Sequence, residues 1–242
     1  MTRSVTDLVR GMRDIPVSIS SVVLTAILAS GLYVFFEIAD ELDEGEADGI
    51  DRRLLLFFRD PADTSQPIGP EWLKQTVIEI TALGGYPILV MIVGAVVGFL
   101  LVSRRFGPAL FVLLSVGAGT LVGHLLKLAY DRPRPDLVDH LVAIHTPSFP
   151  SGHATMSAVV YLTLASLILR LVDSRTVRAY VLTVAIALTV AIGLSRVYLG
   201  VHWPSDVAAG WAIGVAWACF SWLLVSALRA YRSRLGLGGE AR

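Results

Sequence analysis

The stretch GPALFVLLSVGAGTLVGHLLKLAYDRPRP runs from Gly107 to Pro135. Residues 107–126 hold no Asp, Glu, Lys or Arg. A run of this length matches a bilayer's hydrocarbon core, which takes about 20 apolar residues as helix. Lys127, Asp131, Arg132 and Arg134 then follow in quick succession. The stretch reads as a helix that crosses a membrane and delivers a cluster of cations to one surface.

The rest of the chain repeats this pattern. Over 242 residues it is 55% hydrophobic and 17% charged, whereas about a quarter of a soluble domain is charged. Apolar runs long enough to span fall at about 16–38, 86–103, 107–129, 153–171, 179–198 and 205–228. These predict an all-α polytopic membrane protein, a six-transmembrane-helix bundle, as one domain over 1–242. The first run is too long for a signal peptide core, and no A-x-A site follows it. Cys219 is the only cysteine and lies in the sixth run, which excludes an internal disulfide.

Charge orients the spans. With the N-terminus inside, segments 1–15, 103–106, 170–178 and 228–242 hold 12 of the 20 Lys and Arg, but 4 of the 20 Asp and Glu. That is the positive-inside pattern, so both termini are expected in the cytoplasm. The first outer loop, about 39–85, opens with an acidic run that reads as solvated loop. IDRRLLLFFRD (50–60) then predicts a short amphipathic helix in the interface. EWLKQTVIEITALGG (71–85) predicts a second short helix, ended by Gly84 and Gly85. Glycine pairs at four-residue spacing (Gly94 and Gly98, Gly119 and Gly123, Gly210 and Gly214) predict close helix packing within the bundle.

On this topology three polar clusters share the outer side. The third span ends in KLAYDRPRP (127–135). The fourth starts at PSGH (150–153). SRVYLGVHWPSD (195–206) joins the fifth to the sixth. Lys127, Arg132, Arg134 and Arg196 put four cations near one membrane depth, where ionisable groups are costly unless they serve a function. The planar fork of Arg matches phosphate oxygens. Helix starts at Ser151-Gly152-His153 and at Pro204 add free N–H groups and a positive dipole end. Gly152 leaves its backbone open to an anion, and Ser151 can cap its helix, donate to a phosphate oxygen, or do both.

His202 and Asp206 stand four apart across a helix start, so the carboxylate can orient the imidazole and leave its other nitrogen as a nucleophile. His153 has no carboxylate in its own segment and suits a general acid. A metal site built from His140, His145, His153, His202, Asp131, Asp139 and Asp206 is the chemical rival. Four nearby cations would repel a divalent ion, and no H-x-x-x-H pair occurs. His140 and His145 are expected in a loop near the mouth, and His124 packed and hydrogen-bonded within the third span.

These motifs resemble the type 2 phosphatidic acid phosphatase family of integral membrane lipid phosphatases. Its K-x6-R-P motif is matched from Lys127 to Pro135, P-S-G-H at 150–153, and S-R-x5-H-x3-D from Ser195 to Asp206. The resemblance implies His202 as nucleophile, Asp206 as its orienting partner and His153 as general acid and base. It implies Lys127, Arg134, Ser151, Gly152 and Arg196 as phosphate ligands, with Arg132 at a variable position. It implies no metal or other cofactor, while the charge-derived topology predicts a site on the extracytoplasmic face, expected in a bacterial-type inner membrane. Soluble vanadium haloperoxidases share the motifs, but six spans argue against that branch. The expected partners are membrane lipids and a lipid phosphate (phosphatidic acid, phosphatidylglycerol phosphate or an isoprenyl diphosphate), not nucleic acid. Monomer and homodimer stay open. A phosphotransferase using the same site and a non-catalytic lipid-binding or transport protein are the competing functions. Residues 39–85 match no motif, and their role is open.

Overall fold

The computed structural model describes residues 19–44, 48–142 and 146–235. Eight helices occur among them: α1 (Ile19–Glu44), α2 (Asp48–Leu56), α3 (Glu71–Ala82), α4 (Tyr86–Val102), α5 (Phe106–Ala129), α6 (Gly152–Leu169), α7 (Arg175–Tyr198) and α8 (Pro204–Arg234). Strands β1 (Arg59–Asp60) and β2 (Asp63–Pro67) form a small antiparallel hairpin between α2 and α3. The two loop helices were expected; the hairpin was not.

Five helices (α1, α5, α6, α7 and α8) are long and apolar enough to cross a membrane alone. The expected second span is different. Helix α4 has 17 residues and qualifies only together with α3, from which it is bent by 48° at a break of Leu83–Gly85. A helical Gly pair exposes backbone and sacrifices chain entropy, so the ladder breaks there. The acidic run also departs from the expected loop. Helix α1 continues through it to Glu44, because Phe35 and Ala39 are buried against Phe149 and Ala209, with Leu42 packed alongside. Tertiary packing, not solvation, sets where α1 ends.

Helix α6 is the central element. It packs against α5, α7 and α8, and 56% of its span is buried against 11% for α1. Large apolar side chains such as Met91, Leu114, Leu121 and Leu128 are exposed on the outer helix faces, where lipid replaces water. Polar groups inside are paired. Ser115 Oγ lies 3.1 Å from both Thr163 Oγ1 and Ser221 Oγ, and Trp217 Nε1 donates to Ser115 O at 2.8 Å, tying α5, α6 and α8 together.

The glycine pairs split. A Cβ on Gly119 would lie 2.8 Å from Val159 Cγ1, one on Gly210 2.9 Å from Ala154 Cβ, and one on Gly214 2.6 Å from Ala158 Cβ. These glycines let α5 and α8 close on α6. Gly94 and Gly98 face open space, and Gly123 is in ordinary contact, so spacing alone overstated their packing role.

Candidate active site

Four chain segments meet at one end of the bundle: the end of α5 and its following loop, the start of α6, the end of α7, and the start of α8. The docking is through backbone. Ser151 N donates to Asp206 O at 2.9 Å, and Gly210 admits Ser151 O at 2.9 Å from where its Cβ would be.

His202 sits on the short turn between α7 and α8, 2% exposed. Its Nδ1 lies 3.3 Å from Asp206 Oδ2. Asp206 is the third residue of α8 and fully buried; its Oδ2 also accepts from Trp203 N at 2.8 Å and from Ser148 Oγ, and its Oδ1 from Arg132 at 2.7 Å. A carboxylate only accepts, so Nδ1 is the protonated nitrogen. Nε2 then keeps its lone pair, and the Arg134 guanidinium donates to it at 3.2 Å. Burial outweighs the pull of Asp206 and lowers His202 to about 3. The imidazole is therefore neutral at ordinary pH, the state a nucleophile needs.

The cations divide into two groups. Lys127 Nζ donates to Pro147 O at 2.7 Å. Arg134 holds Thr146 O at 2.8 Å, Thr146 Oγ1 at 3.2 Å and Val201 O, and burial lowers its pKa. Arg196, 2% exposed, donates to Thr81 Oγ1 at 2.9 Å. None of the three has a carboxylate partner among the described residues. Arg132 is the exception among the four. It is neutralised between Asp51 at 2.9 Å and Asp206 at 2.7 Å, and so leaves the anion-binding set.

Buried donors also lie unused. Nε and one Nη of Arg196, and the hydroxyl of Ser151, have no partner among the described residues. Ser151 occupies the N-cap position of α6, yet its side chain caps nothing, which removes one of the two roles open to it. Lys127 Cε lies 3.4 Å from the Cβ position of Gly152. Unused donors, a helix N-terminus and unneutralised cations together describe a cradle for an anion. His153 stands in the first turn of α6 beside Gly84, whose Cβ would meet its Cδ2 at 3.3 Å.

Of the rival metal ligands, Asp131 and Asp139 are exposed and His140 Nε2 lies 2.7 Å from Pro135 O. No group of three His, Cys, Asp or Glu suited to a metal forms among the described residues. His145 lies outside them. His124 is exposed on α5, contrary to the packed role expected of it.

The first outer loop supplies what the motifs lack. Asp51 holds Arg132, Thr81 holds Arg196, and Leu83 O accepts from Tyr161 on α6 at 2.9 Å. Arg59 is buried against the Gly200 turn, and burial lowers its pKa against the pull of Tyr198 and Asp139. Ser148, within SFPSGH, reaches Asp206. One signal was readable for Asp51: it stands four residues before Leu55 on α2, so a carboxylate shares the helix face that carries a buried leucine.

A family profile for the PAP2 superfamily matches residues 108–230, about half of the chain. Phosphatidylglycerophosphatase B of Bacillus subtilis is 33% identical over 147 residues, 60% of this chain and 71% of that one. Decaprenylphosphoryl-5-phosphoribose phosphatase of Mycobacterium tuberculosis is 41% identical over 108 residues, 42% of this chain and 54% of that protein. In three dimensions the chain resembles a crystal structure of a transmembrane PAP2-type phosphatidylglycerolphosphate phosphatase from Bacillus subtilis. The TM-score is 0.68 at 25% identity, over 84% of this chain and 96% of that one.

Proposed function

The chain belongs to the PAP2 superfamily and is a membrane lipid phosphatase, and we propose that it hydrolyses a phosphate or diphosphate ester of a lipid through a phosphohistidine on His202. The whole of 1–242 serves as one membrane phosphatase domain, with the site at the extracytoplasmic face of an inner membrane and both termini in the cytoplasm. The charge asymmetry of the sequence supports that orientation.

The observation that carries the mechanism is the unprotonated Nε2 of an oriented, neutral histidine, held by Arg134 beside cations that lack counter-ions among the described residues. Lys127, Arg134 and Arg196, with Ser151 and the α6 N-terminus at Gly152, bind the phosphoryl oxygens and offset the charge that builds up on them. Arg134 leaves Nε2 for an oxygen of the arriving phosphate. Nε2 attacks phosphorus in line, forming an N–P bond as the P–O bond to the lipid breaks. Asp206 accepts from Nδ1–H and stabilises the positive imidazole that results. His153 protonates the departing alkoxide, or the departing phosphate of a diphosphate. It then takes a proton from water, which attacks phosphorus, releases inorganic phosphate and restores His202. No step needs a metal.

The lipid tails stay in the bilayer while the headgroup enters the cradle. Phosphatidylglycerol phosphate and isoprenyl diphosphates are the first substrates to test, because relatives include a phosphatidylglycerophosphatase and an undecaprenyl-diphosphatase. Phosphate release from a panel of lipid phosphates in detergent should be retained in EDTA and lost in His202→Ala. The acid-quenched phosphoenzyme should be lost with it. A fully active His202→Ala would overturn the nucleophile. If no free phosphate were released and an added acceptor alcohol became phosphorylated instead, the chain would be a phosphotransferase.

A further inference from the structure

Asp51 lies 81 positions before Arg132 and 154 before Ser205, and touches both. Its Oδ1 accepts from Ser205 N at 2.9 Å, and its Oδ2 from Arg132 at 2.9 Å and from Ser205 Oγ. The same guanidinium donates through its other Nη to Ser205 Oγ at 2.8 Å and to Asp206 Oδ1 at 2.7 Å. It lies over the Trp203 ring at 5.4 Å. Asp51 is 2% exposed and Asp206 is fully buried. The one guanidinium bridges two buried carboxylates and is held by both.

The rest of α2 explains why Asp51 stands where it does. Leu55, one turn on, is fully buried among Val138, Ala154, Val197 and Val207. On the other faces Ile50 and Leu54 are 66% and 48% exposed, as an interfacial helix requires. One part of the α2 surface leaves apolar side chains exposed while another delivers a carboxylate to the first turn of the helix that carries Asp206.

We infer that Asp51 is a positioning residue for the nucleophile, acting through Arg132 on Asp206 and so on the tautomer and direction of His202. This rests on the proposed mechanism. Asp51 touches neither His202 nor the phosphate cradle; it reaches the Asp206 carboxylate through the fork of Arg132, with Ser205 bonded to both. A lysine at 132 is a single point donor and cannot span two carboxylates.

The test uses the full chain with Asp51→Asn, Arg132→Gln, Arg132→Lys and the Asp51→Asn/Arg132→Gln double variant. Asp51→Asn is expected to lower kcat roughly 10-fold to 100-fold with KM unchanged, the scale of a misplaced reacting group. The double variant should fall no further than Arg132→Gln alone, and Arg132→Lys should not rescue. In [15N]histidine spectra, five histidines give few signals, and His202→Gln assigns the one of interest. Wild type should show a single Nδ1–H tautomer at His202, and Asp51→Asn a mixture. Additive losses in the cycle, a loss confined to KM, rescue by Arg132→Lys, or an unmoved His202 signal would each overturn the inference. A wild type that releases no phosphate from any lipid phosphate would instead sink the proposed function, while the histidine spectra would still decide the positioning.

Discussion

Gly200 is the residue on which one added methyl group should act most strongly. It stands two positions before His202 with φ +74°, a region that costs an L side chain about 1–2 kcal/mol. A Cβ there would sit 2.8 Å from Val138 Cγ2, 3.0 Å from the backbone Asp139 O, and closer still to the Arg59 guanidinium. Ordinary contact begins at 3.4 Å, so the shortfall to Val138 is 3.4 − 2.8 = 0.6 Å, and that to Arg59 is larger. Nothing nearby yields easily. Arg59 is 2% exposed, and Leu141 N donates to Leu199 O at 3.1 Å, which ties the 138–141 loop to the turn. Overpacking of this kind costs about 1–3 kcal/mol. With the backbone term, Gly200→Ala should lose about 2–5 kcal/mol of stability. The turn that must give way is the one that carries His202, the proposed nucleophile. A displacement approaching 1 Å at a reacting group can cost on the order of 100-fold in rate. Phosphate release under saturating lipid phosphate, with thermal unfolding of the same detergent preparation, measures both. Wild-type kcat in Gly200→Ala would refute the close fit of this turn. Adding Arg59→Ala should recover part of the stability, because it relieves the shortest contact and leaves the φ cost in place.

Gly84→Ala should lower kcat more than it changes KM, because the new Cβ runs into Ile192, lies 3.3 Å from His153 Cδ2 and displaces the proposed proton donor; unchanged single-turnover rates would contradict this. Thr81→Val removes the only side-chain hydrogen bond that the buried Arg196 makes among the described residues and should raise KM about 10-fold, since a bond to a charged group is worth roughly 1.5–3 kcal/mol; an unchanged KM would show that Arg196 needs no external anchor. Folded His202 titrates near 3, below its unfolded value of about 6.5. Its stabilising contribution is whole above about pH 6.5 and is lost as pH falls toward 3. The unfolding midpoint should therefore drop on acidification, and drop less steeply in His202→Gln; parallel slopes would argue against a neutral buried imidazole.

The site residues legible in the sequence share one property: each is set by its distance along the chain from a helix end. Lys127 closes α5, Ser151 and Gly152 open α6, Arg196 closes α7, and His202 reaches Asp206 across one helix turn. Local spacing fixes those placements, so apolar periodicity and charge suffice to find them. Asp51, Thr81 and Arg59 follow no such rule. Their partners lie 81 or more positions away, and what selects them is the path of the outer loop over the bundle end. That path depends on tertiary facts: the bend at Leu83–Gly85, the hairpin, and the burial of Leu55. Arg132 shows the consequence. By sequence it is one more cation in a cluster that favours anions. With Asp51 in place it is half of a buried ion-pair bridge, and what it holds is the carboxylate behind the nucleophile. The motifs thus carry the groups proposed to do the chemistry, while a loop that matches none of them holds the carboxylate beside His202 in place.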